Sequence, residues 1–563
     1  MKIDRRSLLG LFGAGTASCA TTPDLVSAAA VDVRFDHGVA SGDPAPDSVV
    51  LWTRVTPPAG FDATLPVAVA IGASPDLSDA TIRTLTTGPD RDYTVKLVAG
   101  DLQPGRDYWF QFRVGEATSP LGRTRTLPVG ATARLDLAVV SCQLHPGGLF
   151  NAYDAIAGLE ALDAVVHLGD YIYEYGAGDG AYGMATGRRL GRIPEPPHEI
   201  VTLADYRLRH AQYKSDPDLQ AAHARAPFIC VWDDHEVAND TWMHGAENHQ
   251  PATEGDFDAR KAAALRAYYE WMPIREAAPG TLPEAINRTF DFGDLASLMM
   301  VETRLMARTP PLSHGDLEFV PGSDGTPVPD LEAFMARRND PSRELLGAGQ
   351  RAWLRQELTR SRSEGRPWQI LGNQVVMARV RGPDVSTLMP PAQLEAVLAG
   401  LEPEIRARVE SLIALFKLDV PFNLDAWDGF PAARERLYAL FREAGVQPIV
   451  LAGDSHAFWV NELHDEAGQR RAVEFGTSAV SSPSPADALG GIPLGLALSM
   501  VNDEVRFCDQ ASKGFVLMTL TPDHAEVALM GVSTIFAKPY DLKPVKRYHL
   551  PRETGGLGAL TEV

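Results

Sequence analysis

The feature that most constrains the fold of this chain is a set of short apolar runs, each followed at once by polar side chains. An apolar run without alternation is typical of a strand that is buried on both faces. Such runs, with the polar residues that follow them, lie at Leu137–Cys142, Val165–Tyr173, Phe228–Glu236, Gln369–Asn373 and Ile449–His456. Helical patterns alternate with the strands, which indicates a layered α/β domain. Because sites in such domains form at the carboxyl ends of strands, we expect the polar residues to gather at one edge.

The residues that follow these runs are of types that bind metal ions. Gly169-Asp-Tyr-Ile-Tyr173 offers a carboxylate able to bridge two cations and a phenolate suited to ferric iron. Asp233-Asp-His-Glu236 places a carboxylate beside an imidazole, although the same residues also favour a helix start. In Gly453-Asp-Ser-His456 the carboxylate and the imidazole can point the same way along an extended segment. Alternatively, the imidazole can lie in a turn with its hydrogen bonds made within the protein. Their occurrence together in one domain favours a metal-centred hydrolase.

Patterns along the chain predict two domains, as expected for 563 residues. Residues 31–130 contain short alternating runs separated by turn residues, which predicts an immunoglobulin- or fibronectin-like β-sandwich. Residues 131–540 form the predicted α/β domain, and residues 541–563 are assigned to a C-terminal tail. Two segments rich in Gly and Pro, 176–197 and 310–340, are predicted as long surface loops that shape a substrate entrance.

Apolar residues at three- and four-residue spacing predict four long helices in the α/β domain. They cover Asp258–Trp271, Gln350–Arg362, Leu394–Phe416 and Ala432–Ala444. Pro431 and Gly445 fit the start and the end of the last of these helices. Closer to the C-terminus, two strands at Gly514–Leu520 and His524–Leu529 are predicted to form a hairpin.

The first 30 residues have the architecture of an export signal. A basic start with Arg5 and Arg6 precedes a short, mildly apolar stretch, and Ser27–Ala30 offers a small-residue cleavage site. The paired arginines resemble a twin-arginine signal, which implies a twin-arginine translocon and a periplasmic or secreted protein, with an ordinary secretory signal as the alternative. Cys19 is a candidate for lipidation, although the residues before it match that signal poorly. No later run reaches the length of a membrane helix.

The charge of the chain narrows the choice of partners. The formal charge is −21, and removal of residues 1–30, with three basic and two acidic side chains, leaves −22. Such a charge disfavours nucleic acids and anionic membranes, because their phosphates would be repelled.

Three cysteines follow residue 30, and an odd number gives no disulfide framework. Cys142, at a strand end, is a candidate metal thiolate, whereas Cys230 is most simply a buried apolar residue.

Taken in order, these motifs resemble those of the metallophosphoesterases, whose pattern is Asp, GDxxY, GNHE, GH and GHxH. The chain departs from that pattern with Cys142 in place of Asp, Asp234 in place of Asn, and both Asn373 and Asp454 in place of His. These departures are similar to the PhoD-like alkaline phosphatases. The likeness covers residues 1–535 and includes segments outside the core, namely Phe35–Pro44, Val50–Arg54 and Trp427–Pro431.

The resemblance implies Fe³⁺ with one or two Ca²⁺ beside it, and Asp170 bridging them. Two His ligands of the wider pattern are replaced here, which leaves one pocket with oxygen donors only. Oxygen ligands suit Ca²⁺, whereas imidazole would favour Zn²⁺. The implied iron ligands are Cys142, Tyr173 and His456. The implied calcium ligands are Asp170, Asp234, Asn373 and Asp454.

The resemblance also implies a reaction, the hydrolysis of phosphate mono- or diesters by a metal-bridging hydroxide. Within the Asp-His pair, Asp234 would be the metal ligand and His235 the donor to the phosphate or the leaving oxygen. Asp233, Asn239 and Trp427 are further candidates for contact with substrate or metal. Two alternatives stay open, a phospholipase D-like phosphodiesterase on the same scaffold and an exported binding protein without catalysis. Loss of catalytic ligands would favour the second, but they are present.

Overall fold

Residues 31–130 fold as two layers of antiparallel strands in the computed structural model, which describes residues 31–489 and 493–563. One layer comprises Leu65–Gly72, Thr81–Thr87, Asp107–Val114, Ala117–Thr118 and Gly122–Arg125, and the other comprises Val39–Gly42, Val49–Arg54 and Thr94–Ala99. Side chains from both layers, among them Leu51, Val67 and Phe112, fill one core. The predicted sandwich is therefore present. The predicted export signal at residues 1–30 lies outside the described residues.

The second layer of the sandwich continues into the α/β domain. Gly42, at the end of strand Val39–Gly42, pairs in parallel with Phe228 of the next domain. The indole N–H of Trp52 donates a hydrogen bond to the carbonyl of Glu270 at 2.9 Å. One continuous sheet thus crosses the predicted boundary near residue 130, because the edge strand of the sandwich satisfies its backbone groups against its neighbour.

A lysine is buried at this junction among aromatic rings. The Lys214 ammonium lies 4.5 Å from the centroid of the Trp52 ring and 5.3 Å from that of Tyr171. It also lies 3.2 Å from Nε2 of His223. Burial removes the water that would stabilise the charged form, and this lowers the pKa of Lys214 to about 7.

Replacing Lys214 with Met should stabilise the protein at pH 7 and weaken its dependence on pH. An unfolded lysine has a pKa of about 10.4. Between about pH 7 and pH 10 the unfolded state therefore binds a proton that the folded state lacks, so stability should rise with pH. The contribution of this group is on the order of 1 kcal/mol for each pH unit. Thermal unfolding at pH 7 and pH 9.5 measures it, and an undiminished rise in Lys214→Met would contradict the assignment.

The α/β domain is built on two mixed sheets. Beyond Val39–Gly42 the first sheet continues through Phe228–Cys230, Ala164–His167, Leu135–Val140, Lys513–Leu520, His524–Val532, Leu542–Glu553 and Gly556–Leu557, with Thr561–Glu562 beside Leu542–Glu553. The second sheet runs in the order Arg288–Phe292, Ala296–Met300, Trp368–Gly372, Ile449–Ala452, Arg470–Gly476, Phe458–His464 and Val505–Asp509. Apolar side chains of both sheets, including Val139, Val166 and Ile370, share one core, which indicates that the sheets pack face to face.

Three of the four predicted helices are confirmed within a few residues, but Leu394–Phe416 is wrong as one helix. The first helix ends before Gly400 and the second begins at Pro403. Proline has no backbone N–H to donate to the preceding turn, so it can start a helix but not continue one. The helices are Asn151–Ala157, Met184–Leu190, Leu203–Lys214, Pro217–Arg225, Pro251–Glu254, Phe257–Trp271, Leu331–Arg338, Gly347–Ser363, Val385–Leu388, Pro391–Ala399, Pro403–Phe416, Pro431–Ala444, Pro485–Ala488 and Leu494–Val501. Of these described helices, none has the length and apolar content needed to cross a membrane.

The predicted C-terminal hairpin is confirmed, since Lys513–Leu520 pairs antiparallel with His524–Val532. A third strand, Leu542–Glu553, pairs along the second and lies within the segment predicted as a tail. The prolines and exposed basic residues of this strand obscure its alternation in the sequence. Residues 541–563 therefore extend the sheet of the α/β domain.

The two segments predicted as long loops contain short elements of their own. Residues 176–197 include the helix Met184–Leu190. Residues 310–340 include a small hairpin of strands Phe319–Pro321 and Pro327–Pro329, and the helix Leu331–Arg338. Both segments connect elements of the sheets over the surface, as long loops do.

Candidate metal centre

The strand ends that were predicted to carry ligands lie at one edge of the two sheets. The three strands of the first sheet that precede predicted ligands run parallel to one another, and so do the two in the second sheet, so their carboxyl ends point the same way within each sheet. The residue after the first of these strands, Ser141, forms a parallel bridge with Ala479, which follows a strand of the second sheet. The strands concerned are Leu135–Val140, Ala164–His167, Phe228–Cys230, Trp368–Gly372 and Ile449–Ala452.

Four residues at this edge have a left-handed backbone. The φ angle is 60° at Cys142, 59° at Asp170, 61° at Asp454 and 57° at His456. Residues other than glycine rarely adopt this region, and each instance costs about 1–3 kcal/mol. Such strain clusters at functional sites, where the surrounding structure must hold a side chain in one direction. The sharp turn at each strand end thus orients a polar side chain.

The first cluster combines a thiol, a carboxylate, an imidazole and a phenol. One ligand atom each of Cys142, Asp170 and His456 lies within 4.8 Å of the others. The Tyr173 hydroxyl donates to Oδ2 of Asp170 at 3.0 Å and lies 3.3 Å from Nε2 of His456. These are the residues that sequence reasoning assigned to iron together with the bridging aspartate, and the fold brings all of them together.

The imidazole of His456 is held in the form that a metal requires. Its Nδ1 lies 2.6 Å from the carbonyl of Pro483 and 3.0 Å from the Tyr182 hydroxyl. A proton on Nδ1 leaves the lone pair of Nε2 directed at the cluster. Burial, with the charge of Lys513, lowers the pKa of His456 to about 3, so the ring is neutral. Tyr182 comes from the segment 176–197, and no sequence motif pointed to it.

The Cys142 thiol needs a cation to ionise in this position. Burial and the carboxylate of Asp170 raise its pKa well above the ordinary value. The same two causes raise the pKa of the Tyr173 phenol. A coordinated metal ion reverses this because its charge deprotonates the ligand.

If this cluster holds iron, as the resemblance implies, replacing Cys142 with Ser should lower the iron content and remove any visible ligand-to-metal absorption. The two side chains are similar in size, so the fold should survive, but the hydroxyl is a much weaker ligand than a thiolate. Iron per chain and the visible spectrum measure the effect. Cys508→Ser, which alters a buried free thiol outside the cluster, is the matched control. Wild-type iron content in Cys142→Ser would reduce this residue to a packing role.

A second cluster consists of aspartates. Oxygens of Asp233, Asp234 and Asp454 lie within 4.8 Å of one another, and Asp234 also belongs to such a group with Asp170 and His235. Three buried oxygens, Asp170 Oδ1, Asp233 Oδ2 and Asp234 Oδ1, accept no hydrogen bond from the described residues. Buried carboxylate oxygens in this state are costly unless a cation neutralises them.

The charges of the protein alone do not stabilise all of these carboxylates. Burial raises the pKa of Asp233 to about 6 even beside Arg304. Burial, with Asp425 and Asp234, raises the pKa of Asp240 to about 8. Asp234 is the exception, because Arg304 and His235 outweigh its burial and lower its pKa. The donor set therefore fits one or more hard cations, which would keep the whole cluster ionised.

Sequence reasoning missed the arginine at the centre of this cluster. Arg304 is fully buried, and its guanidinium contacts Asp233, Asp425 and Asp454, the last at 3.2 Å. It follows strand Ala296–Met300 of the second sheet. The stretch from residue 298 to residue 304, an apolar run that ends in Glu-Thr-Arg, had the same pattern as the other strand ends and could have revealed it.

His235 is fixed by a carboxylate. Its Nδ1 lies 2.7 Å from Oε2 of Glu174, and Oε1 of Glu174 accepts hydrogen bonds from the backbone of Asn239 and the side chain of Asn248, both at 2.8 Å. Although burial opposes the charged ring, Asp234 and Glu174 raise the pKa of His235 well above its ordinary value. This geometry suits a proton donor. A carboxylate-bound histidine that turns its other nitrogen to a metal has the same geometry.

Glu236, the last residue of the Asp-Asp-His-Glu motif, holds two strand-end loops together. Its carboxylate accepts backbone hydrogen bonds from Asp170 at 3.1 Å, Tyr171 at 2.7 Å and Asp233 at 2.8 Å. These bonds fix the loop after Ala164–His167 to the loop after the next strand. Glu236 therefore positions both aspartates and turns its own oxygens away from the clusters.

Three other predicted residues occupy supporting positions. The amide oxygen of Asn373 accepts from Nε1 of Trp427 at 3.1 Å, and its nitrogen donates to the carbonyl of Val375. An amide oxygen has a second lone pair, so this contact would orient Asn373 while leaving it able to bind a cation. Asn239 donates its side-chain N–H to Glu247 at 3.1 Å, and its contribution near His235 is the backbone N–H.

Comparison with known proteins agrees with this geometry. Residues 137–529 match the family model "PhoD-like phosphatase", and residues 18–128 match "PhoD-like phosphatase, N-terminal domain". Alkaline phosphatase D of Bacillus subtilis (strain 168) is 33% identical over 504 residues, which cover 87% of this chain and 76% of that protein. A solved structure of PhoD is 30% identical and superimposes with a TM-score of 0.75, over 94% of this chain and 92% of that one. The chain therefore belongs to the PhoD-like phosphatase family and is a phosphoric ester hydrolase.

Proposed function

We propose that this chain is an exported, metal-dependent phosphatase that hydrolyses phosphate monoesters, diesters or both. The observation that carries the proposal is the pair of adjacent ligand clusters, one with a thiol and an imidazole and one with aspartates. Asp170 and Asp234 each belong to more than one ligand group, which is the arrangement that two neighbouring cations require. The alkaline phosphatase among its relatives supports the same chemistry.

The two clusters favour different cations. Cys142, Tyr173 and His456 would hold Fe³⁺, with Asp170 between this ion and its neighbour. Asp234, Asp454 and Asn373 would hold Ca²⁺, because they offer only oxygen. When bound, two such cations lower the pKa of a water molecule and offset the charge of the phosphate oxygens.

The remaining catalytic work falls to His235. Glu174 and Asp234 favour its protonated form, so the ring can donate a proton to a phosphate oxygen or to the leaving alkoxide. The ring also packs against Tyr173, with 4.2 Å between centroids, so its position depends on the iron ligands. Arg304 contacts one carboxylate oxygen each of Asp233 and Asp454 and thereby holds these side chains in place.

The N-terminal segment supports export. Arg5 and Arg6 followed by an apolar stretch and Ser27–Ala30 are the parts of a cleavable signal of the twin-arginine type. That route would transport the chain already folded with its metals seated, and would place the enzyme in the periplasm or outside the cell. The translocon is then a transient partner, and a phosphate ester is the substrate.

Chelation should abolish hydrolysis of p-nitrophenyl phosphate and of its bis ester. Calcium should restore activity better than zinc, because the proposed calcium ligands Asp170, Asp234, Asn373 and Asp454 offer oxygen atoms and no imidazole. The metal content of the same sample, measured before chelation and after each addition, shows which ion returned. The ratio of the two rates gives the preference for monoesters or diesters.

Two results would contradict the proposal. Full activity in protein freed of metals would remove the cations from the reaction. Reactivation by zinc alone, with no calcium bound, would show that the ligand assignment of the aspartate cluster is wrong.

A further inference from the structure

A second group of metal-binding side chains lies outside the catalytic centre, on the adjacent strands His524–Val532 and Leu542–Glu553 of the first sheet. One ligand atom each of His524, Glu526 and His549 lies within 4.8 Å of the others. The rings of the two histidines are 5.0 Å apart between centroids, and Nε2 of His524 lies 3.7 Å from Oε1 of Glu526. Two imidazoles and one carboxylate form the ligand set of many zinc sites.

The register of two strands produces this group. His524 and Glu526 are two residues apart on strand His524–Val532, so they face the same side of the sheet. His549, on strand Leu542–Glu553, pairs directly with Glu526. The neighbouring residues Ala525 and Val527 are buried. All three ligand side chains therefore belong to the solvent face of one antiparallel pair.

The group and the catalytic centre lie at opposite ends of the strands of the first sheet. Strand Lys513–Leu520 pairs antiparallel with Leu135–Val140, and Leu520 lies opposite Leu135. Cys142 follows the other end of Leu135–Val140. Six residues of extended strand span roughly 17 Å, so the group of His524, Glu526 and His549 lies at the opposite edge from the catalytic ligands.

One histidine is already oriented. The Thr521 side chain lies 3.1 Å from Nδ1 of His524, which leaves Nε2 of His524 free to face the other ligands. The side chain of His524 is 32% exposed and that of Glu526 is 64% exposed, so both can turn and a metal can enter from solvent. Zinc–nitrogen distances of about 2.0–2.1 Å need only small rotations of such side chains.

We propose that His524, Glu526 and His549 bind a divalent transition-metal ion of the Zn²⁺ type at the surface. Imidazole ligands exclude Ca²⁺ and Mg²⁺ as good occupants, because those ions require oxygen donors. Three protein ligands leave the fourth tetrahedral position to water. The ion joins strand His524–Val532 to strand Leu542–Glu553, so its binding fastens the C-terminal strand to the sheet.

Zinc binding to the untagged, metal-loaded enzyme tests this proposal. Calorimetric titration with Zn²⁺ should show one surface site that His524→Gln or His549→Gln weakens by more than about 10-fold and the double variant removes. Hydrogen exchange of residues 542–553 should slow with Zn²⁺ in the parent protein and not in the double variant. Hydrolysis of p-nitrophenyl phosphate should be the same in all of them.

His198→Gln is the matched control, because His198 is an exposed histidine that pairs with a carboxylate, Asp205, at 3.2 Å. It should bind Zn²⁺ as the parent does. Equal zinc affinity and stoichiometry in the parent and the double variant would overturn the proposal. So would zinc binding without any change in hydrogen exchange of residues 542–553, because the ion would then not join the two strands.

Discussion

His235→Ala should lower kcat by about 10²–10⁴-fold, the range for loss of a positioned proton donor. In the folded protein the ring is held by Glu174 and lies in a group with Asp170 and Asp234. If it acts on the phosphate or the leaving oxygen, the metal content of the variant should stay near that of the parent. One preparation, measured for iron, calcium and turnover, separates the two roles.

Glu174→Gln and His464→Ala complete this test. Glu174→Gln removes the charge that favours the imidazolium, so the ring should lose its proton at a lower pH. The decline of activity with rising pH should therefore begin at a lower pH than in the parent enzyme. His464→Ala alters a half-buried histidine 4.0 Å from Glu504, remote from the clusters, and should leave kcat unchanged. If His235→Ala loses metal together with activity, His235 is a ligand and the division of roles within the Asp-His pair is wrong.

Arg304→Met should destabilise the protein by about 3–5 kcal/mol, the usual effect of removing one partner of a buried ion pair. The variant keeps an unbranched stem but removes the guanidinium that Asp233, Asp425 and Asp454 share. For an unfolding unit of about 400 residues this corresponds to a loss of roughly 4–6 °C in Tm. The loss should shrink at low pH, where the aspartates are protonated.

Arg406→Met is the matched control for charge. Arg406 binds Glu395 and Glu410 on the surface of a helix pair, at 3.0 Å and 2.8 Å. Exposed pairs of this kind contribute at most about 1 kcal/mol. Equal Tm values for Arg304→Met and Arg406→Met would show that the buried guanidinium does not hold the aspartate cluster together.

The architecture of the α/β domain could be predicted because its strands are continuous apolar runs. The same signal was too weak in Leu542–Glu553, where prolines and basic residues interrupt the alternation, and that strand was assigned to a tail. The single helix predicted for Leu394–Phe416 failed at Gly400 and Pro403, since periodicity outweighed the helix breakers in that prediction. The shared sheet at Gly42 depends on two distant segments, which no local pattern reports.

The ligand residues could be predicted by type, but their supports could not. Cys142, Asp170 and His456 followed apolar runs, and the fold brings them together. Glu174 sat one residue beyond a recognised motif, and its role appears only when His235 is seen beside it. Arg304 was overlooked because arginine is not a metal ligand, although its place after a strand was the same signal.

Anomalous diffraction from crystals of the metal-loaded enzyme, collected on both sides of the iron absorption edge, would locate the proposed ions. We expect one iron peak within bonding distance of Cys142 Sγ, Tyr173 Oη and His456 Nε2. We also expect a neighbouring ion without an iron signal, bound by oxygens of Asp170, Asp234 and Asp454. A zinc peak at the cysteine, or full activity in crystals with no metal at these residues, would contradict the proposed metal centre.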